Sequence, residues 1–321
     1  MINILVTFPV KDSQKKIIKS TLREEADVTF IQDFKEKEIP VLKEADIIFA
    51  WNPPKELNSF DLTSLQNLKF MQVLSAGYDH INFERYPQGC KIASNKGAYA
   101  DPMAEHIMAL VLALAKRLFI NHKKLSAGEF NQQQTNISIR DSTFGILGYG
   151  GIGRAAAKLI RPFGSEIYAI NSTGMTSDKV DFIGKLDDLN IILEKSDIVI
   201  ISLPLIEKTK NLIGKNELER MKPGAILINA ARAQIINEEA LYNHLKAHPG
   251  FYAGIDAWWI EPFSEGEFRM AYPFTSLPNV IGSPHNSALV PGSLMEGIKS
   301  AVENINLFIE GKQPRHIVNN S

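Results

Sequence analysis

The chain has 321 residues, 45% of them hydrophobic and 22% charged, an ordinary globular balance with room for two domains. Its 35 basic and 36 acidic side chains nearly cancel, which argues against a general nucleic-acid binder, since that function needs a basic surplus to neutralise phosphates. Cys90 is the single cysteine, so an intrachain disulfide and a cysteine-cluster metal site are excluded; no metal is expected.

Met1 to Val6 reads as a strand and lacks the basic start and small-residue cleavage site of a signal peptide, and no apolar run approaches the roughly 18 residues of a membrane span. The expectation is a cytoplasmic protein with no membrane or nucleic-acid partner. Strands are predicted at Ile2 to Phe8, Val28 to Ile31, Asp46 to Ala50, Phe70 to Leu74 and Lys91 to Ala93. An amphipathic stretch from Asp12 to Glu25 separates the first two, and this β-α-β rhythm implies a parallel sheet. Asp101 and Pro102 then open a helix, Asp101 as N-cap and Pro102 in the first turn, and the apolar run continues to Leu118. That helix is apolar on nearly every face, so it should be a buried core element; a homodimer contact is its functional reading. A second series of strands follows at Thr143 to Leu147, Glu166 to Ile170, Asp197 to Leu203, Ala225 to Asn229, Tyr252 to Asp256 and Val280 to Ser283. The tail from Leu294 to Glu310 reads as a helix returning to the first part of the chain.

Gly148-Tyr149-Gly150-Gly151-Ile152-Gly153 places G-x-G-x-x-G between a strand and a helix. The pattern is weak alone and gains meaning from that context. Gly148 would allow the tight turn, Gly150 the approach of a pyrophosphate, and Gly153 close helix packing, with the phosphates at the helix N-terminus. Cofactor choice is read at the end of the next strand, where NAD sites usually carry Asp or Glu. Here stand Asn171, Ser172 and Thr173, with neither a carboxylate to repel a 2′-phosphate nor an arginine to clamp one. The expected cofactor is therefore NADP or NAD, with NADP preferred.

In an open parallel sheet, ligands bind beyond the carboxyl ends of the strands. Ser202, Arg232, Asp256, Glu261 and His285 all follow predicted strand ends. Singly, each has a dull explanation: there are seven histidines, a lone arginine is usually a surface ion pair, and Glu261-Pro262 is also turn chemistry. Their convergence beside a nucleotide turn raises the functional reading. Trp51, Trp258 and Trp259 follow strands and could face a cleft or simply pack.

The order of these motifs resembles the D-isomer-specific 2-hydroxyacid dehydrogenase family over essentially the whole chain. The resemblance rests on Ser75-Ala76-Gly77-Tyr78-Asp79-His80-Ile81, the Gly148 to Gly153 turn, Leu203-Pro204-Leu205 through Thr209, Met221 to Arg232, Gly254-Ile255-Asp256, Glu261-Pro262 and Ser283-Pro284-His285. It implies an α/β architecture: a Rossmann doubly wound parallel sheet for the cofactor at 99–288, and a smaller flavodoxin-like substrate domain from 1–98 and 289–321. It implies a hydride transfer between NAD(P)H and a small 2-oxo acid, giving a D-2-hydroxy acid. His285 would protonate the carbonyl oxygen, Glu261 would pair with its other ring nitrogen, and Arg232 would bind the substrate carboxylate. Backbone N–H groups of Ala76 and Gly77 would hold the same carboxylate; apart from the resemblance, Trp51 is the candidate to line the substrate pocket. Asp256 would orient the nicotinamide, and Met103, Leu203, Pro204, Thr209, Ala230, Ala231, Arg232 and His285 would add cofactor contacts. A homodimer is implied as well.

This chain departs from the family pattern at Ala233, where many relatives carry glycine, at Ser202, where a histidine is usual, and at Asn171, where an aspartate is usual. Two other readings compete. A formate dehydrogenase-like enzyme shares the architecture, but that branch resembles glutamine at the Glu261 position, and a charged Glu261 favours proton-coupled hydride transfer. A non-catalytic NAD(P)-sensing protein would have no use for Arg232, Glu261 and His285 together.

Overall fold

A computed structural model describes residues 1–24, 26–33 and 39–319. The chain divides into two compact units: Met1–Tyr99 together with the chain from Pro291, and Ala100–Val290. Each has its own wholly parallel sheet, as the alternation of strands and helices dictates.

In the first unit the strands are β1 (Ile2–Val6), β2 (Ala26–Phe30), β3 (Ile47–Ala50), β4 (Phe70–Val73) and β5 (Lys91–Ala93). Their order is β2-β1-β3-β4-β5, the flavodoxin-like winding. Side chains alternate between two buried clusters: Ile4, Val6, Ile47 and Phe49 lie in one, Leu5, Ile48 and Ala50 in the other. This double burial is why the strands read as unbroken apolar runs. The helix predicted from Asp12 to Glu25 spans Asp12–Thr21, and Glu25 lies outside the described residues. Helix Ser293–Ile309 completes this unit and buries Ile298, Ala301, Val302 and Ile305 in the first cluster.

The second unit holds β6 (Thr143–Leu147), β7 (Glu166–Ile170), β8 (Phe182–Gly184), β9 (Ile198–Ile201), β10 (Ile226–Asn229), β11 (Tyr252–Ile255) and β12 (Val280–Gly282). Their order, β12-β11-β10-β9-β6-β7-β8, reverses direction between β6 and β9, which is the doubly wound switch point. Phe144, Ile146, Ile198 and Ile200 face one core cluster, and Leu147, Val199 and Ile201 face the other.

Helix Ala100–Ala115 packs on helix Gly151–Ile160 and on β10 to β12. It is buried on most of its circumference, leaving an exposed strip at Asp101, Glu105 and Ala109. Two expectations about it are corrected. The helix already includes Ala100, so Asp101 is a first-turn acid rather than the N-cap, where it still complements the helix dipole. The apolar run also does not continue unbroken to Leu118: Arg117 takes a left-handed conformation (φ 54°), and a separate helix, Leu118–Ser126, begins there. No helix among the described residues is long and apolar enough to cross a membrane.

Candidate active site

The glycine turn sits at the carboxyl end of β6. Gly148 has φ +106°, a region that L-side chains rarely adopt, and a Cβ there would stand 2.7 Å from the backbone of Ser202 and Leu203. A Cβ on Gly153 would stand 2.4 Å from the Gly148 carbonyl oxygen. Turn and helix therefore touch backbone to backbone. Helix Gly151–Ile160 starts at Gly150 with no side-chain cap. Its first N–H groups thus lack the usual Ser, Thr, Asp or Asn to satisfy them. Such an uncapped amino end, closely approached by glycine backbone, fits a dinucleotide phosphate. Tyr149 contributes differently: its ring is buried, and its N–H bonds the Ile170 carbonyl at 2.8 Å. Ile152 is half-buried beside Gly151 on the first turn of the helix.

Beyond β7, Asn171 is committed to its own turn. Its Oδ1 accepts from the N–H groups of Thr173 (3.0 Å) and Gly174 (2.7 Å), and its Nδ2 donates to the Met175 carbonyl (2.8 Å). Ser172 and Thr173 remain exposed. The Thr173 hydroxyl joins that turn, 3.1 Å from Asn171 Oδ1, so of the three residues it is Ser172 whose hydroxyl faces solvent. Beyond β9, Ser202 Oγ donates to the Gly148 carbonyl at 2.7 Å and ties β9 to the glycine turn. Thr209 is buried, and its hydroxyl donates to the Pro204 carbonyl at 2.7 Å, closing the loop that carries Leu203 and Pro204. Met103, Ala230 and Ala231 are buried.

Arg232 follows β10. The loop that carries it is braced by Asn229, whose Nδ2 donates to the Arg232 carbonyl (3.0 Å) and whose Oδ1 accepts from Ala231 N–H (3.1 Å). Asn229 is itself 1% exposed. Sequence reasoning missed this support; a polar residue closing an otherwise apolar strand was the available signal. The guanidinium is half-buried, and Nη1 donates to the Ala231 carbonyl at 2.8 Å.

Glu261 and His285 come together. Nδ1 of His285 lies 2.9 and 2.7 Å from the two carboxylate oxygens of Glu261. A carboxylate only accepts, so Nδ1 carries the proton and Nε2 is left for chemistry. Glu261 is fixed in turn by the Trp258 N–H, which donates to Oε1 at 2.6 Å. The His285 side chain is 31% exposed and that of Glu261 15%. His285 also has φ +50°. For a non-glycine residue this left-handed geometry costs about 1–2 kcal/mol, and such strain persists only where the surroundings impose it.

Asp256 is part of those surroundings. Its side chain is fully buried, and it accepts from the N–H groups of Asn286 and Ser287 at 3.3 Å each. These are the two residues immediately after His285. Trp258 and Trp259 pack: their indole N–H groups bond the carbonyls of Ser283 (2.8 Å) and Ile236 (3.0 Å), and both rings lie against Phe274.

Trp51, Ala76 and Gly77 belong to the first unit. Trp51 is 39% exposed, packs edge-on against Phe8, and follows β3. Ala76 and Gly77 are half-buried in the turn after β4, which Ser75 Oγ closes onto the Gly77 carbonyl at 2.8 Å. Neither of their N–H groups has a partner among the described residues.

Comparison with known proteins gives a consistent result. Residues 108–287 match the family model described as D-isomer specific 2-hydroxyacid dehydrogenase, NAD binding domain. The chain is 31% identical over 258 residues to the glyoxylate/hydroxypyruvate reductase B of Enterobacter agglomerans, covering 78% of each. It is 29% identical over 269 residues to the hydroxypyruvate reductase of Thermotoga maritima, covering 83% of this chain and 85% of that one. Among solved structures, it superposes with a TM-score of 0.81 on a D-isomer-specific 2-hydroxyacid dehydrogenase family protein from Aeromonas salmonicida, at 23% identity over 99% of both chains.

Proposed function

The chain belongs to the D-isomer-specific 2-hydroxyacid dehydrogenase family, and from that premise we propose that it reduces a small 2-oxo acid to the D-2-hydroxy acid, with NADPH preferred over NADH. The observation that carries this reading is the His285–Glu261 pair, held at 2.7 Å in the same unit as the glycine turn. Bound at that turn, the nicotinamide cofactor supplies the hydride.

The protein's part is position and charge. Arg232 binds the substrate carboxylate with a planar fork of donors, a recognition that a lysine would not reproduce. His285 donates the Nε2 proton to the carbonyl oxygen as hydride reaches the carbon. Glu261 accepts the hydrogen bond from Nδ1–H throughout, which fixes the ring's tautomer and orientation, and its charge pairs with the imidazolium. A charged partner at this place suits a reaction that moves a proton together with the hydride. Formate oxidation moves no proton through a base.

The preference for NADPH rests on the end of β7, where no carboxylate opposes a 2′-phosphate and Ser172 is exposed. The relatives' names make glyoxylate and hydroxypyruvate the first substrates to try. The test is steady-state reduction of glyoxylate, hydroxypyruvate, pyruvate and bulkier 2-oxo acids with each cofactor, with His285→Ala as control. Turnover that falls to background in the variant, with cofactor binding retained, is expected. Absence of turnover with every acid, alongside tight cofactor binding, would overturn the enzymatic reading in favour of a sensor.

A further inference from the structure

We propose that His106, on helix Ala100–Ala115, is a positioning residue that sets the left-handed turn of His285 through Ser283 and Asp256. The inference rests on the role proposed for His285 above.

The hydrogen-bond directions follow from the chain of partners. Ser283 Oγ lies 2.6 Å from Asp256 Oδ1, and a buried carboxylate can only accept, so the serine proton points to Asp256. Nε2 of His106 lies 2.9 Å from the same Oγ. With its proton already placed, the serine oxygen is an acceptor, so His106 donates through Nε2–H. The same nitrogen stands 3.6 Å from Asp256 Oδ1 and adds a cationic or dipolar partner to that oxygen. Asp256 also accepts from the Asn286 N–H at the same Oδ1 and from the Ser287 N–H at Oδ2.

The histidine, serine and carboxylate thus form one line that begins on the buried helix and ends on the backbone following His285. A fully buried carboxylate needs its acceptor sites filled; His106 fixes the bond from Ser283 and stands near Oδ1 as an electrostatic neighbour. Without that line, the backbone at His285 loses an anchor for a conformation it does not favour by itself. The titratable groups that meet here are His106, Asp256, Glu261 and His285. Asp101 and Glu105, also on the helix, lie on its exposed strip.

His106→Phe and His106→Gln separate the alternatives in the full-length protein. The glutamine amide can still donate to Ser283 Oγ; the phenyl ring fills the space and cannot. The expected result for His106→Phe is a fall in kcat of about tenfold or more with little change in KM, and an altered pH–rate profile, because His285 is no longer held in place. The glutamine variant should recover most of the rate. A turnover-independent readout is the ring carbon–proton NMR signal of His285, which should move in His106→Phe and return near its original position in His106→Gln. Wild-type rate, pH profile and His285 signal in His106→Phe would overturn the proposal, as would equal losses in both variants, which point to helix packing alone. Absence of 2-oxo acid reduction in the wild-type protein refutes the proposed activity instead, and the NMR comparison still decides the linkage.

Discussion

Replacing Gly153 with alanine probes the contact on which the phosphate turn is built. The new Cβ would lie 2.4 Å from the Gly148 carbonyl oxygen, 3.0 Å from Ile146 Cγ2 and 3.3 Å from the Gly148 carbonyl carbon. The nearest obstacle is backbone, so no side chain can rotate away from it. A carbon and a carbonyl oxygen pack no closer than about 3.3 Å, so helix Gly151–Ile160 and the turn must separate by close to an ångström. Overpacking of this kind costs about 1–3 kcal/mol. The same displacement carries the first helical N–H groups beyond hydrogen-bond range of an anion seated in the turn. Losing one charge-assisted bond, about 1.5–3 kcal/mol, corresponds to about 10- to 100-fold weaker cofactor binding. Urea unfolding followed by tryptophan fluorescence measures the first effect, and fluorescence titration with NADPH and NADH the second. A variant with the wild-type unfolding midpoint and cofactor affinity within about twofold would refute the reasoning, since it would mean that the turn yields without loss.

Asn171→Asp keeps the acceptor used by Thr173 and Gly174, removes the donor to Met175, and adds a negative charge beside Ser172 and Thr173. The ratio of kcat/KM for NADPH over NADH should fall by about tenfold or more, and an unchanged ratio would show that cofactor choice is made elsewhere. A separate pH effect comes from His244, whose pKa is pushed down to about 4, by burial first and by neighbouring His248 second. The unfolded chain binds this proton from about pH 6.5 downward while the folded protein resists it, so the stability contribution is present above that pH and is lost as pH falls toward 4. Because the ring is only half-buried, the loss is discounted for solvent screening to about 1–2 kcal/mol. Urea midpoints from pH 7 to pH 4 for wild type and His244→Leu would show it as a flatter curve in the variant; parallel curves would exclude His244 as the cause.

Much of the fold was legible because parallel strands buried on both faces are written as apolar runs. Ile47–Ala50, Ile198–Ile201 and Ile226–Asn229 are read directly from the sequence. The strand β8 was not, since Phe182–Gly184 is short, lies at the sheet edge and pairs only with β7. The break at Arg117 also escaped notice, because neither glycine nor proline marks it and the left-handed backbone is taken by an arginine. Within the site, Glu261 and His285 could be paired from their motifs. The support behind them could not: the bonds to Asp256 come from the backbone N–H groups of Asn286 and Ser287, which every residue carries and no sequence pattern marks. The two tryptophans after Asp256 were left open between cleft and core; their satisfied indoles and aromatic neighbours place them in packing.

Helix Ser293–Ile309 and the segment after it close the first unit on itself. There, Asn306 donates to the Thr21 carbonyl (2.9 Å) and accepts from the Arg23 N–H (3.2 Å), across nearly the whole chain. The second unit is contiguous, from Ala100 to Val290. During synthesis the order of folding is therefore inverted relative to the order of translation. Met1–Tyr99 emerges before the second unit but must wait, with part of one sheet face uncovered, until helix Ser293–Ile309 leaves the ribosome; the second unit is complete before then. Chaperone demand and aggregation risk should fall on the earlier residues, and the dinucleotide turn is the part of the molecule that matures first.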